Sequence, residues 1–500
     1  MSSVAAAPDA VTDTQPEFVK ALTLTDATML VAGSMIGSGI FLVSADIARQ
    51  VQSPFWLIMA WVLSGVMTVL AALAYGELAA MYPRAGGQYV FLRESMGPLM
   101  GFLYGWTLFL VIQTGTIAAV AVAFGRFLGV VWPAVTPDRY GWFPQADLCV
   151  RALGCTDPSA AIQLGLTPQR LAGLVTVWLL TWVNLRGVRE GKLVQTTLTV
   201  VKTGALALLI ILGFTIGRNA TALSANLVAA FASGTSYTGA FVLAAGAAMV
   251  GSLFSSDAWN NVTFAAAEVE NPRKNLPLAL VLGTGLVSLL YVLANVSYLQ
   301  VLPLHGSADG ATVLARGIAH ATQDRVGTAA TEQMFGPVGA TIMAISILIS
   351  TFGCNNGLIL AGARVYFAMA RDRLFFRRAG TLNAKAVPSF ALIVQSVWVS
   401  LLCLTGTYGQ LLDYVIFAAL IFYVLTTLGL FILRRTRPDM ERPYRAIGYP
   451  VLPALYIFLA STVSIILLLA PQTRTQALFG LVLVLIGIPV YALWRRVEAV

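Results

Sequence analysis

The sequence predicts an all-α membrane protein of twelve spanning helices, the first ten arranged as two inverted sets of five. Three observations carry this. Hydrophobic residues make up 58% of the 500 residues and charged residues only 11%, against about a quarter charged in soluble domains. The apolar residues are gathered in long runs separated mostly by short charged segments. The first and sixth of these runs are interrupted at their centres by glycine and polar residues.

A span needs about 20 mostly apolar residues. Runs of that kind cover 26–48, 55–81, 99–132, 169–185, 193–217, 241–265, 277–301, 338–369, 388–406, 410–433, 450–470 and 476–494. Residues 1–24 then form a polar N-terminal tail, without the apolar core of a cleaved leader. Residues 25–217 hold helices 1–5, 241–433 hold helices 6–10, and 450–496 hold helices 11 and 12. An even count puts both termini on one side. Lys and Arg in the connecting segments favour that side by better than two to one, so the positive-inside rule places both termini in the cytoplasm. Segments 133–168 and 302–337 are the long outer loops. The inner segment 84–98 mixes aromatic and charged residues and is expected to lie along the membrane surface.

Several function classes are excluded. The net charge of +9 is spread over loops, not gathered in a stripe, which argues against nucleic acid. The two histidines, His305 and His320, share one loop, and there is no HExxH, CxxC or His-rich tract. No metal or cofactor is therefore expected, and an enzyme would lack its clustered base and nucleophile. No connecting segment is large enough for a receptor's output domain. A channel would carry polar stripes or charged rings along its pore; here the polarity sits at two midplane breaks.

Span 1 reads VAGSMIGSGIFLV at 31–43, and span 6 reads GSLFSSDAWNN at 251–261. Glycine weakens a helix by about 1 kcal/mol per site relative to alanine. Unwound backbone at membrane depth is tolerated only where protein or a cavity satisfies it. Two spans interrupted at corresponding places in two halves point to a transporter's binding site. The N–H groups freed at Gly37, Ser38 and Gly39, at the positive end of a restarting helix, suit a carboxylate. Carbonyls freed near Met35 and Phe254 suit an ammonium. An α-amino acid carries both charges on one carbon and would bridge the breaks. Ile36, Phe254 and Trp259 suggest an apolar pocket for neutral side chains; Asp257 leaves room for cationic ones. Two other readings stay open here: Gly33 and Gly37 also fit a helix-packing motif, and Asp257 could only cap the broken helix.

Four further charges lie in or near apolar runs. Lys202, in VVKTGALALLIILGF, is costly in lipid and so a functional candidate, with snorkelling to the inner face as the alternative. Glu77 is expected to pair with an arginine at the inner face, Asp413 to be solvated, and Arg126 to snorkel outward.

Six motifs in order extend the reading: GSMIGSGIF at 33–41, YGELAAMYPRAGGQYVFLRE at 75–94, LFSSDAWNNVTFAAAEVENPRKNLP at 253–277, STFGCNNGLILAGARVYFAMARD at 350–372, RPDMERPYRAIGYPVLP at 437–453 and GIPVYALWR at 487–495. Together they resemble the amino acid–polyamine–organocation superfamily, and within it the L-type amino acid transporter branch with its bacterial relatives. The resemblance implies a five-plus-five inverted repeat (LeuT-like) with helices 1 and 6 broken and two peripheral C-terminal helices. It implies sodium-independent amino acid transport by alternating access, as a permease or exchanger, with proton symport or cationic amino acid and polyamine transport as the alternative. Substrate would contact Met35, Ile36, Gly37, Ser38, Gly39, Phe254 and Asp257. Phe254 matches the family's aromatic gate, and Trp259 follows it. Lys202 matches the helix 5 lysine of sodium-independent members, its ammonium standing in the place of sodium beside Ser350 and Thr351. The implied location is a cell membrane, here a bacterial inner membrane. In eukaryotic light chains a cysteine of the loop corresponding to 133–168 bonds a heavy chain. In this sequence Cys149 and Cys155 lie six apart, which favours a local disulfide in an oxidising compartment over that arrangement, with free thiols as the other possibility, and no obligate protein partner is evident.

Overall fold

The computed structural model describes residues 20–141, 143–148, 162–231, 238–405 and 408–498. Cys149 and Cys155 lie outside these residues, so the proposed disulfide does too. A helix occupies each of the twelve apolar runs. The first run is split into α1 (Leu24–Met35) and α2 (Gly39–Val51), followed by α3 (Pro54–Met81), α4 (Gln88–Met96), α5 (Pro98–Thr107) and α6 (Gln113–Val131). A five-residue π-helix, Leu108–Ile112, joins α5 to α6. Next come α7 (Pro168–Leu185), α8 (Val188–Phe214), α9 (Ala220–Phe231), α10 (Gly239–Ser255), α11 (Asn261–Phe264), α12 (Pro272–Val301) and α13 (Val313–Arg316). The chain ends with α14 (Val326–Arg371), α15 (Ser389–Thr405), α16 (Tyr408–Thr436), α17 (Val451–Leu469) and α18 (Arg474–Glu498).

By length and composition nine of these segments can cross a membrane, the first being α1 and α2 together. α10 and α15 are apolar but shorter, at 17 residues each. α9 adds a helix that the hydropathy pattern does not predict. A two-stranded ribbon, Ala146–Leu148 against Ile162–Leu164, closes part of the long loop before α7.

Local chemistry explains the principal helix ends. α1 begins in a capping box: Asp26 N–H donates to Thr23 Oγ1, and Thr23 N–H donates back to Asp26 Oδ2 at 3.0 Å. Pro54, Pro98, Pro168 and Pro272 each sit in the first turn of a helix, where the missing N–H costs nothing. α14 is bent at Gly336 (φ 65°) before Pro337, so its first turns form a segment separate from the long helix.

α1, α8, α12 and the middle of α14 surround the first break, and α2 runs beside α10. Both described ends of the chain reach one face. There the N–H groups of Ala21 and Leu22 donate to Glu268 O, at 2.9 Å each. At the other end Trp494 Nε1 donates to Arg373 O at 3.1 Å.

In the segment at 84–98, α4 turns one face into the bundle. Gln88, Tyr89, Val90, Phe91 and Leu92 are buried, and the loop before them is fastened to helix 6 by Gly86 N–H to Phe264 O at 3.0 Å. Its aromatic face finds cover inside the bundle, which burial favours over the interface.

A candidate substrate site between two broken helices

The helix 1 break spans three residues. Ile36 leaves the helix with extended backbone (φ −73°, ψ 91°). Gly37 and Ser38 follow, and α2 restarts at Gly39. Among the described residues, no acceptor engages the N–H groups of Gly37, Ser38 or Gly39, although Ile36 and Ser38 are fully buried. Orphan donors of this kind at a helix N-terminus form an anion site. These are the N–H groups that the sequence singles out for a carboxylate.

The carbonyls freed at the end of α1 are, by contrast, already engaged. Lys202 Nζ, on α8 and 1% exposed, donates to Gly33 O at 2.5 Å, to Ile36 O at 2.7 Å and to Ser350 O at 3.5 Å. Ser350 Oγ lies 3.2 Å from both Ile36 O and Gly37 O. The Cys354 thiol donates to Ser34 O at 3.1 Å. Lys202 therefore joins α8, the break and α14, as the resemblance implies, and does not snorkel. Thr351 is not part of this set: its hydroxyl donates to Ile347 O within its own helix at 2.9 Å.

Helix 6 breaks after Ser255. Asp257 N–H turns back to Phe254 O at 3.1 Å, and Ala258 takes a left-handed conformation (φ 62°) before α11. Such backbone costs a non-glycine residue about 1–3 kcal/mol and clusters at functional sites. Tyr291, on α12, spans the two breaks: its hydroxyl lies 2.9 Å from Met35 O and 3.1 Å from Ser255 O. Met35 O, expected to receive the substrate ammonium, thus already has one donor and keeps its second lone pair.

Above the helix 1 break, Phe254 meets Tyr408 edge-on at 6.1 Å between ring centres, and Tyr408 Oη lies 3.1 Å from Ser38 Oγ. The two rings roof the break. Asp257 is held beneath: its Oδ1 accepts from Tyr423 Oη at 2.5 Å, with Trp259 packed against Tyr75 and Tyr423 at 4.7 and 5.5 Å. Two small cavities flank Asp257, of about 20 and 10 Å³, each enough for about one water. The second is lined by Tyr104, Gln113, Asn260 and Asn261, among others.

The face shared by the chain ends is sealed in layers. Asn260 Nδ2 donates to Gln88 Oε1 at 2.7 Å, and Gln88 Nε2 to Thr426 Oγ1 at 3.0 Å. Below them Arg364 Nε donates to Glu268 Oε1 at 2.8 Å, both side chains 1% exposed. Leu22 pairs with Val269 in a parallel bridge. Nearer the surface, Arg93 bonds Asp372 and Glu94, and Arg437 reaches Glu94 at 3.0 Å. Burial works to raise the Glu94 carboxyl, but Arg93 and Arg437 outweigh it and hold it below the usual range. Their stabilisation is present above the ordinary glutamate range and is lost as pH falls through the depressed value. Glu77 pairs with Arg434 at 2.6 Å, as expected, and also with Arg442 at 3.3 Å.

Removing one partner of a buried ion pair costs about 3–5 kcal/mol, because the other charge is left uncompensated. Arg364→Ala should therefore lower the melting temperature in detergent strongly. The double variant Arg364→Met with Glu268→Gln should recover most of the loss. A double variant no more stable than Arg364→Ala would contradict the pairing.

Tyr291, Tyr408 and Tyr423 are the site residues that sequence reasoning missed. Tyr291 and Tyr423 are aromatic residues in apolar runs and Tyr408 lies between two such runs, none with a local feature to set it apart. Asp413 is half-buried in the wall of a cavity on the face opposite the chain ends, and the Arg126 guanidinium lies over the Tyr408 ring at 5.4 Å.

The fold and the site define a membrane transporter for a small charged solute, and sequence comparison agrees. The amino acid permease family matches residues 22–489; the chain belongs to that family. The b(0,+)-type amino acid transporter 1 of Rattus norvegicus is 26% identical over 479 residues, 95% of this chain and 88% of the relative. The large neutral amino acids transporter small subunit 2 of Rattus norvegicus is 30% identical over 499 residues, 97% of this chain and 85% of the relative. Its human counterpart is also 30% identical, over 476 residues, 95% of this chain and 80% of the relative. The protein is thus a multi-pass membrane permease and not an enzyme. The expectation that it works without a protein partner finds no support among these relatives, since two of them are named as small subunits.

Proposed function

We propose that the protein carries α-amino acids across a cell membrane by alternating access, without sodium, and with neutral L-amino acids as its main substrates. The observation that carries the reading is the division of labour at the helix 1 break. The N–H groups of Gly37, Ser38 and Gly39 are free for a carboxylate, while an ammonium fixed on Lys202 fills the carbonyl side. A metal cation would need those same carbonyl oxygens. The relatives' names, a b(0,+)-type and a large neutral amino acid transporter, fit an amino acid substrate. Phe254, Ile36 and Trp259 give the site an apolar boundary suited to uncharged side chains.

In this reading twelve helices cross the membrane, with α1 to α8 and α10 to α16 as the inverted repeats, and both termini are cytoplasmic. The vestibule beyond Tyr408 and the layered seal around Glu268 and Arg364 are then the outward-facing side and the closed inner gate.

The test is uptake by purified protein in liposomes, with a panel of labelled amino acids. Uptake of neutral amino acids should be unchanged when sodium is replaced by choline, and stimulated by internal amino acid if the protein exchanges. Uptake that requires sodium, or no uptake of any amino acid, overturns the reading.

A second reading has its own observation. Asp257 is a buried carboxylate with, among the described residues, a single side-chain partner, Tyr423, and a cavity on either side. A cationic side chain placed there would gain a charge partner in a low-dielectric site. If cationic amino acids are carried, Asp257→Asn should lower their kcat/KM by about tenfold or more, the scale of one charge-assisted hydrogen bond, and spare neutral ones. Equal losses for both classes would return Asp257 to a capping role.

A further inference from the structure

On the face opposite the chain ends, a cavity of about 350 Å³ descends to Tyr408. That volume lies within the range of small-molecule sites. Its wall carries five charged side chains: Asp46, Arg49, Arg126, Asp324 and Asp413. Three of them satisfy one another. Arg49 lies 2.7 Å from Asp324 and 3.4 Å from Asp46, and Gln50 Nε2 also donates to Asp46, at 2.6 Å. This chain of contacts ties the end of α2 to the turn before α14.

Arg126 and Asp413 are left over. Each sits on a spanning helix, α6 and α16 respectively. Neither forms an ion pair or a side-chain hydrogen bond with any described residue; the Arg126 guanidinium lies over the Tyr408 ring, with Asp324 as its charged neighbour in the same wall and Asp46 as that of Asp413. Ionisable side chains on spanning helices are rare, and those that face a cavity mark substrate pathways. Here two unpaired charges of opposite sign face one cavity that is large enough for an amino acid.

We propose that this vestibule is a second, outer binding site for an amino acid zwitterion, with Arg126 receiving the carboxylate and Asp413 the ammonium. The ligand would rest on Tyr408, whose hydroxyl meets Ser38 at the helix 1 break. Occupancy of the vestibule is therefore one side chain away from the roof of the central site. Asp46, Arg49 and Asp324 share the cavity wall with them and are held to one another. The proposal rests on the reading that the chain carries amino acids.

The experiment measures the KM for one neutral amino acid separately from each face, in liposomes with uniformly oriented protein, for wild type, Arg126→Gln, Asp413→Asn and Arg126→Lys. The expected result for Arg126→Gln and Asp413→Asn is a rise of about tenfold in KM from the vestibule face, the scale of one charge-assisted hydrogen bond. KM from the opposite face and the maximal rate should stay within about twofold of wild type. Arg126→Lys keeps the charge and should fall between wild type and Arg126→Gln. An unchanged KM at the vestibule face, or an equal rise at both faces, overturns the outer site. Should Arg126→Gln fail to fold, Asp413→Asn and Arg126→Lys carry the same comparison. Wild-type protein that takes up no amino acid defeats the parent reading; normal wild-type uptake with unaltered variants defeats this inference alone.

Discussion

Lys202→Met should abolish transport while leaving the protein inserted and monodisperse. The substitution keeps the length of the side chain and removes the ammonium that donates to Gly33 O and Ile36 O. Both carbonyls lie in a water-poor setting. A buried acceptor that loses its charged donor costs on the order of 1–3 kcal/mol. Two such losses at one break would shift the Gly37–Ser38–Gly39 turn away from its donor geometry. The expected fall in kcat/KM is on the order of 100-fold or more, read as initial uptake rates in liposomes. Size-exclusion chromatography of the same preparation separates this from misfolding. Uptake above about a third of wild type would show that the break holds its shape without Lys202.

Gly39→Ala should have a comparable effect through shape alone. A Cβ at this position would stand 2.1 Å from Ser255 Oγ, 2.8 Å from Ser255 Cβ and 3.1 Å from Ser255 Cα. The side-chain oxygen could rotate away, but the backbone carbon cannot. The restarting half of helix 1 would have to move off helix 6 at the point where the two breaks face each other. Overpacking of a filled core costs about 1–3 kcal/mol, and the displacement falls on the N–H groups meant for the carboxylate. Amino acid affinity, measured by competition binding, should drop by at least about tenfold. Adding Ser255→Gly to Gly39→Ala should restore part of it by removing the nearest atoms. A double variant no better than Gly39→Ala would place the damage elsewhere.

Lys202 and Gly39 differ in how much of their role is legible in the sequence. Lys202 stands out as a charge in an apolar run, and the crowding of glycine and serine at 33–39 marks a break by composition alone. What Lys202 touches is implied only by resemblance, and the geometry sharpens it: Ser350 joins the set, and Thr351 turns to its own helix. The contact of Gly39 with Ser255 joins residues far apart in the chain and has no local signature. The same holds for the roof over the site, where Ser38 and Tyr408 are 370 positions apart. Tyr291 and Tyr423 are single aromatics in apolar runs, and an aromatic residue there reads equally well as lipid contact or core. α4 carries a mixed aromatic and charged pattern, and the surface that buries its aromatic face comes from helix 6, distant in the chain.

The sequence by itself determined which segments are apolar enough to cross a bilayer, where two of them break, and which charges stand out within apolar runs. Those properties follow from local composition, because transfer into lipid and helix propensity act on each segment separately. Only the tertiary structure decided which donor meets which freed carbonyl, that Tyr408 and Phe254 close the site, that Glu268 and Arg364 seal one face, and that Arg126 and Asp413 are left unpaired above the other. These depend on the packing of helices distant in the chain, where a shift of one residue in register changes every partner.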